Sequence, residues 1–588
     1  MTRKAGAMHV ETSRSHQRRK DGTERVYQRH LLRRSYREGG KVRKQTLANL
    51  SHLPDEAIAA LRLVLAGRTV VDADAALEVA RSAPHGHVAA VHTIARQLGL
   101  PDLLGPPGRA RDLAYALIVS RVVRPRSKLS TIGWWQDVTL GADLGVAGAS
   151  TDEVYAAMDW LVDRQDGIEA QLARRHLREG GIAMFDLSSS WVEGTHNELA
   201  AFGHSRDGKR GKPQINYGLL TDPKGRPVAV RVFAGSTADP TAFTQAVEVV
   251  RGSFDLYQLI LVGDRGMITT ARIEALKQRN DDPDTPDGFA WITALRAPSI
   301  KKLAADDGPL QMSLFDQQDL AEITSPDYPG ERLVACRNPL LASERARKRQ
   351  DLLAATEALL AKVKGQVDAG RLTDPDKIRV KADRALRKHK VGKHLVVQVA
   401  QGSLSWHRDQ AKIDAEAALD GIYVIRTCVP AATLDAAGAV AAYKNLAFVE
   451  RDFRHIKADD LDLRPIWHRL QDRVRGHVLV CMLACYLAWH LRGAWAPLTF
   501  TDEHPPTRDN PVAPAQRSAA AQAKAAHKAN GANGQPVRSF RDLLDHLATL
   551  TRDTITIAGQ TIDKITTPTP TQRRAFDLLQ APIPITLA

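Results

Sequence analysis

"IAMFDLSSSW", residues Ile182 to Trp191, opens with a short apolar run and breaks on one carboxylate, Asp186. A run of this length bounded by polar residues reads as a strand buried on both faces. Downstream, "QINYGLLTD" (214–222) and "PVAVRVFAG" (227–235) flank the turn signal "PKGR", which makes a β-hairpin. Thr241 to Arg251 reads as a helix. "LYQLILVGDRGM" (256–267) repeats the first pattern, a buried strand ending in a carboxylate, here Asp264. A helix from Ile268 to Arg279 and the strand "FAWITALR" (289–296) complete the series. The order is strand, hairpin, helix, strand, helix, strand.

That order is the order of an RNase H-like α/β core, in which the first and fourth strands lie side by side and parallel. Asp186 and Asp264 are therefore expected to be neighbours, at the carboxyl edge where such sheets carry function. A third carboxylate is available from "YKNLAFVERDFRHIK" (443–457). At about 100° per residue, Tyr443, Glu450 and Lys457 align in one stripe, beside an apolar face of Leu446, Val449, Phe453 and Ile456. The stripe is placed to look into a cleft.

Composition bounds what the cleft can hold. The chain has 588 residues, 43% of them hydrophobic, enough for about three or four domains. Its net charge is +15, and residues 1–50 alone carry 14 Lys/Arg against 4 Asp/Glu. A basic arm of that kind points to a polyanion, and nucleic acid is the expected partner. The four cysteines (Cys336, Cys428, Cys481, Cys485) lack CxxC spacing and fit neither a disulfide framework nor a zinc site. No signal-peptide pattern opens the sequence, and the apolar run Val478–Trp489 is too short to span a bilayer, so a cytoplasmic, nucleoid-associated protein with no membrane contact is expected.

Along the chain, residues 1–67 read as a small basic, strand-rich unit with a turn at Gly39-Gly40. Residues 88–180 read as a helical region, a candidate DNA-binding domain, in which Ser150 and Glu153 form a capping box. The core is expected in two parts, 181–296 and 443–500, separated by an α+β insertion over 297–442. Residues 502–537 read as a flexible linker and 538–588 as a C-terminal segment. The fold class is multidomain α/β, an RNase H-like mixed-sheet core interrupted by the insertion and preceded by the basic unit and the helical region.

Two strand-end aspartates and a helix-borne glutamate are hard oxygen ligands suited to Mg²⁺ or Mn²⁺, and two such ions serve phosphodiester chemistry. The third motif is also a family signature. Tyr, two residues, Arg, three residues, Glu, six residues, Lys is the pattern of DDE transposases of the bacterial insertion-sequence-four group, which this chain resembles at Tyr443, Glu450 and Lys457, with Leu446 in the Arg position. "FDLSSSW" and "LVGDRGM" resemble the two Asp motifs of that group, and the long insert falls where the group carries one. The resemblance implies that Asp186, Asp264 and Glu450 bind two metal ions per active site, while Tyr443 and Lys457 contact double-stranded DNA at the transposon end. Arg454, four residues after Glu450, is the candidate substitute for the missing Arg. Arg265 and His477 are further DNA-contact candidates, and Trp406, then Trp291, are candidates for stacking a flipped base. The implied activity is cleavage and joining of transposon ends by a homodimer or higher oligomer. The alternatives are an RNase H-like nuclease or resolvase and a non-catalytic DNA-binding descendant of a transposase.

Overall fold

The structure is a computed structural model that describes residues 6–18, 24–68, 70, 77–280, 288–507, 510–526, 536–557 and 560–587. The chain divides into two compact units, Met1–Ser82 with Arg552–Ile565, and Ala83–Thr551 with Thr566–Ala588.

In the first unit β1 (Met8–Arg18), β2 (Glu24–Glu38) and β3 (Lys41–Asn49) form an antiparallel meander. Gly39 and Gly40, at φ 58° and 79°, supply the two consecutive left-handed residues that a tight two-residue hairpin between β2 and β3 requires. The helix Asp55–Leu65 packs on β1. β4 (Leu77–Pro84) begins a second small sheet in this unit, described with its partners below.

The second unit is built on an eight-stranded mixed sheet. Its strands are β5 (Gly181–Trp191), β6 (Gln214–Thr221), β7 (Pro227–Ala234), β8 (Leu259–Val262), β9 (Ala290–Ala294), β10 (Leu320–Ile323), β11 (Arg332–Arg337) and β14 (Ile422–Thr427). Their spatial order is β10-β11-β14-β9-β8-β5-β6-β7, and β5, β8 and β9 run parallel. The chain is thus a mixed α/β multidomain protein. β6 and β8 are buried at every position; β8 is the continuous apolar run that a covered strand should be, while β6 also buries Gln214, Asn216 and Thr221.

Register decides which way each side chain looks. Asp186 pairs with Leu219 and Ser188 with Tyr217, so these four side chains share one face. Phe185, on the other face, meets Phe243 of the helix Asp239–Phe254, whereas Tyr217 meets Phe453 of the helix Leu446–Arg454. Asp186 therefore faces the layer that carries Glu450.

The insertion is narrower than expected at both ends. β10, β11 and β14 are the far edge of the sheet itself, joined through Ile425↔Ala294 and Arg426↔Thr293. The excursion is correspondingly smaller than 297–442, since it leaves from Arg337 and returns at the paired Ile422. It holds the 30-residue helix Pro339–Asp368, the helix Pro375–Lys388 and the hairpin β12 (Leu395–Ala400) and β13 (Ser403–Arg408), around a core of its own that includes Leu353, Leu360, Ile378, Leu404 and Ile413.

The expected linker 502–537 is anchored at points along its described residues, which are otherwise mostly exposed. Val512 is fully buried, and the Lys444 ammonium donates to the carbonyls of Pro511, Val512 and Ala513. Positions 508–509 and 527–535 lie outside the described residues.

The helical region buries one of its helices completely along most of its length. Helix Arg109–Val123 is buried at every position from Leu113 to Val123, which leaves that stretch no face for a DNA groove. It packs with Thr151–Val162, opened by the Ser150–Glu153 capping box, against the 24-residue helix Gln471–Ala494. That last helix is long and apolar enough to cross a membrane, yet 83% of its apolar window is buried inside the fold. All four cysteines are free. The C-terminal hairpin β15 (Thr551–Ile557) and β16 (Gln560–Ile565) completes the second sheet of the first unit, in the order β16-β15-β4.

Candidate active site

Met184 of β5 and Val262 of β8 are parallel register partners, and each is followed two residues later by an aspartate. Equal offsets on adjacent parallel strands bring Asp186, in the middle of β5 where a strand end was expected, beside Asp264, two residues past the end of β8. The helix bearing Glu450 lies over β5, held by buried Val449 and Phe453. Burial, helped by the charges of Glu450 and Asp264 and opposed by the Leu187 N–H and Arg206, raises the Asp186 carboxyl to about 7. Three carboxylates from three remote segments thus share one electrostatic environment. Among the described residues no trio of His, Cys, Asp or Glu closes to ligating distance. What relates the three is their mutual field.

Tyr443 is half-buried on the helix before Glu450. Burial, then the charges of Asp264, Glu450 and Asp186, hold its phenol above its ordinary range, while Arg265 opposes them. A phenol kept neutral among carboxylates remains a hydrogen-bond donor. Arg265 and Arg454 are exposed beside this group.

Lys457 is different from expectation. It is 8% exposed, and its Nζ donates to Asp207 Oδ1 at 2.9 Å. The reason is helical phase. The chain turns at Asn445, and residues His455–Asp459 adopt a π-helical turn, which rotates less per residue than an α-helix and draws Lys457 off the stripe that Glu450 occupies. His477 is also buried; its Nε2–H donates to the Leu463 carbonyl and its Nδ1 accepts from Lys128. Trp406 packs half-buried against the core of the excursion, opposite Val397, and Trp291 is 1% exposed. Trp291 therefore offers no open ring face, while Trp406 keeps part of its ring exposed. The most exposed aromatics among the described residues are Phe202, at 72%, and Trp467, at 69%.

Sequence reasoning missed a second charged cluster at the site, Arg206, Asp207 and Asp239. The Arg206 guanidinium donates to Asp239 Oδ1 at 2.6 Å, and its backbone N–H to Ser189 Oγ at 2.9 Å. The only signal was the density of charge in "HSRDGKRGK" (204–212).

The helix carries a further carboxylate, Asp452, that faces inward. Burial raises it to about 7, with Asp222 adding to the rise, and its Oδ2 has no hydrogen-bond partner. With the folded value above the unfolded one near 4, the folded state holds the proton more tightly between those limits. Its contribution to stability is therefore lost as pH rises from about 4 to about 7. Asp452→Asn should raise thermal stability at pH 8 by an amount on the order of 2–4 kcal/mol and leave it unchanged below pH 4. Parallel melting curves for the two proteins across that range would refute this.

The comparisons follow this geometry. Residues 13–75 match the IS1634 family transposase N-terminal domain, and residues 188–487 match the transposase DDE domain, which spans just over half of the chain. The chain belongs to the DDE transposase family. The transposase cuts and joins DNA in the transposition of an insertion sequence, a reaction that enzymes with this domain carry out with divalent metal ions. No curated protein matches it. Among solved structures, the transposase is similar to a chain of the piggyBac transposase synaptic complex with hairpin DNA, determined by cryo-electron microscopy, at 8% identity and a TM-score of 0.34 over 79% of this chain and 76% of that one.

Proposed function

We propose that Asp186, Asp264 and Glu450 are the catalytic carboxylates of this transposase, set on an RNase H-like core. One observation carries the reading, the parallel register Met184↔Val262 that sets Asp186 beside Asp264 under the helix of Glu450, and the raising of the Asp186 carboxyl by burial and by the two other acids agrees with it. The strand order β7-β6-β5-β8-β9, with β5, β8 and β9 parallel, is the order the RNase H-like reading calls for. Their donor set is all hard oxygen, without thiolate or imidazole, which suits two Mg²⁺ or Mn²⁺ ions. When bound, the ions supply activation of the attacking oxygen and stabilisation of the leaving one. The chain's own groups orient the DNA. The neutral Tyr443 hydroxyl donates to a phosphate oxygen, and the exposed guanidinium groups of Arg265 and Arg454 hold the flanking phosphates. Pairing of two ends in a homodimer or larger assembly, in the cytoplasm on the nucleoid, completes the proposal.

The test is metal removal. Protein stripped with a chelator should bind duplex transposon ends, yet give neither 3′-OH ends nor joined products until Mg²⁺ or Mn²⁺ is restored. Cleavage at an undiminished rate in excess chelator would end the metal assignment.

A further inference from the structure

The loop between β5 and β6, residues 204–212, holds four Lys/Arg against one Asp. It is fastened at both ends and in the middle. Gln214 Nε2 donates to the His204 carbonyl at 3.0 Å, Arg206 is tied to Ser189 and Asp239, and Lys212 pairs with Glu193 at 2.8 Å. At its centre the Asp207 side chain is 1% exposed, and its Oδ1 accepts from both Lys457 Nζ at 2.9 Å and Arg464 Nη1 at 2.8 Å. Its Oδ2 is buried without a partner. A buried ion pair gains little stability over an apolar substitute; what it fixes is position. Here it fixes the loop to the helix that carries Glu450.

The tip between those anchors points outward. Gly208 and Gly211, at φ 68° and 73°, take the left-handed conformation that turns the chain on each side of Lys209-Arg210. Both cations are exposed. Lys209 lies 5.0 Å from the Trp191 ring, which Arg464 also approaches at 5.2 Å, and Arg210 has no ion-pair partner among the described residues. The loop is close enough to the carboxylates for Arg206 to act on the charge of Asp186.

We propose that residues 204–212 form a backbone clamp for the DNA strand entering the site, with Lys209 and Arg210 gripping phosphates and Asp207 positioning the clamp through Lys457 and Arg464. The clamp rests on the reading of Asp186, Asp264 and Glu450 as the cleavage centre. It gives Lys457 a new role, as the internal latch that ties the clamp to the glutamate helix. Duplex DNA is the occupant because the tip offers two adjacent cations and no apolar surface, in a protein whose substrate is DNA.

The experiment uses the full chain and labelled duplex transposon ends. Binding is measured in chelator over a salt series, and cleavage in single turnover with Mg²⁺ at saturating protein. Lys209→Ala/Arg210→Ala should lower the slope of log affinity against log salt by about 1.8, two phosphate contacts' worth. Asp207→Asn should bind within about threefold of wild type but cleave at least about tenfold more slowly at saturation, and Asp207→Asn/Lys457→Gln should be no slower than Asp207→Asn alone. A merely structural Asp207 would lower the melting temperature without changing the rate per folded molecule. An unchanged salt slope in the exposed double variant, which does not disturb the core, overturns the clamp; so does a wild-type cleavage rate for folded Asp207→Asn. Asp264→Asn is the separate control. If it cleaves normally the carboxylate reading fails, while the salt slopes, taken without chemistry, still report on the loop.

Discussion

Glu450→Gln, like Asp186→Asn and Asp264→Asn, is expected to lower both end cleavage and strand transfer by at least about 10³-fold, a barrier increase on the order of 4 kcal/mol, while DNA binding in chelator stays near wild type. Each change keeps shape and removes one anionic ligand. Asp186→Asn carries a second consequence that the other two do not. Its carboxyl is raised to about 7 in the folded protein by burial and by its neighbours, so ionising it costs stability as pH climbs from about 4 to about 7. Above that range the amide should melt at a higher temperature than the wild-type protein in chelator, and the two should converge near pH 4. A dead and stabilised Asp186→Asn is what a site that spends stability on charge repulsion predicts. A Glu450→Gln protein that cleaves within about tenfold of wild type would remove Glu450 from the chemistry.

The adjacency of Asp186 and Asp264 was legible in the sequence because a buried apolar run leads into each aspartate, and the parallel register Met184↔Val262 turns that likeness into spatial proximity. The end of the first strand was not, since β5 continues past Asp186 to Trp191 through buried Leu187 and three buried serines. The helix of Glu450 was legible because Val449 and Phe453 fall at helical spacing and are buried together. Lys457 was misread for a reason local periodicity cannot carry. A π-helical turn shifts its phase, and the acid that captures it, Asp207, lies in a polar loop more than two hundred residues earlier.

Non-local pairing explains the other departures. β10, β11 and β14 look like strands of an independent insert until Ile425 and Arg426 are found opposite Ala294 and Thr293. Trp406 was singled out through the family resemblance, as an aromatic of the insertion, and the excursion's apolar core against which it packs is assembled largely from helices remote in sequence. The Ala- and Pro-rich stretch after Asp502 has the composition of a linker. It is nevertheless held by one buried valine, Val512, and by Lys444 reaching three of its carbonyls, contacts that composition does not register.

Glu331→Gln is expected to be the most destabilising single polar change in the sheet. Glu331 has a side chain 1% exposed and receives the Arg426 guanidinium in a two-pronged bond, Nε at 2.6 Å and Nη2 at 2.5 Å. Trp291 Nε1 and Lys277 Nζ also reach it, at 3.4 and 3.5 Å, and Arg426 Nη1 donates to Thr270 Oγ1 at 3.3 Å. The cluster therefore joins β14, β9 and the helix Thr270–Asn280, which follows directly on the Asp264 turn. Removing the acid leaves a guanidinium buried without its counter-charge, at a cost of about 3–5 kcal/mol, roughly 3–5 °C in apparent melting temperature for a unit of this size. Replacing both partners, Glu331→Leu with Arg426→Met, should recover most of that loss, because two matched apolar groups carry no desolvation debt. If Glu331→Gln melted with the wild-type protein, the pair would be no more than a contact between two charges already satisfied elsewhere. A loss that the double variant fails to recover would mean that the hydrogen bonds to Trp291 and Thr270, and not the buried charge, hold this edge of the sheet in place behind Asp264.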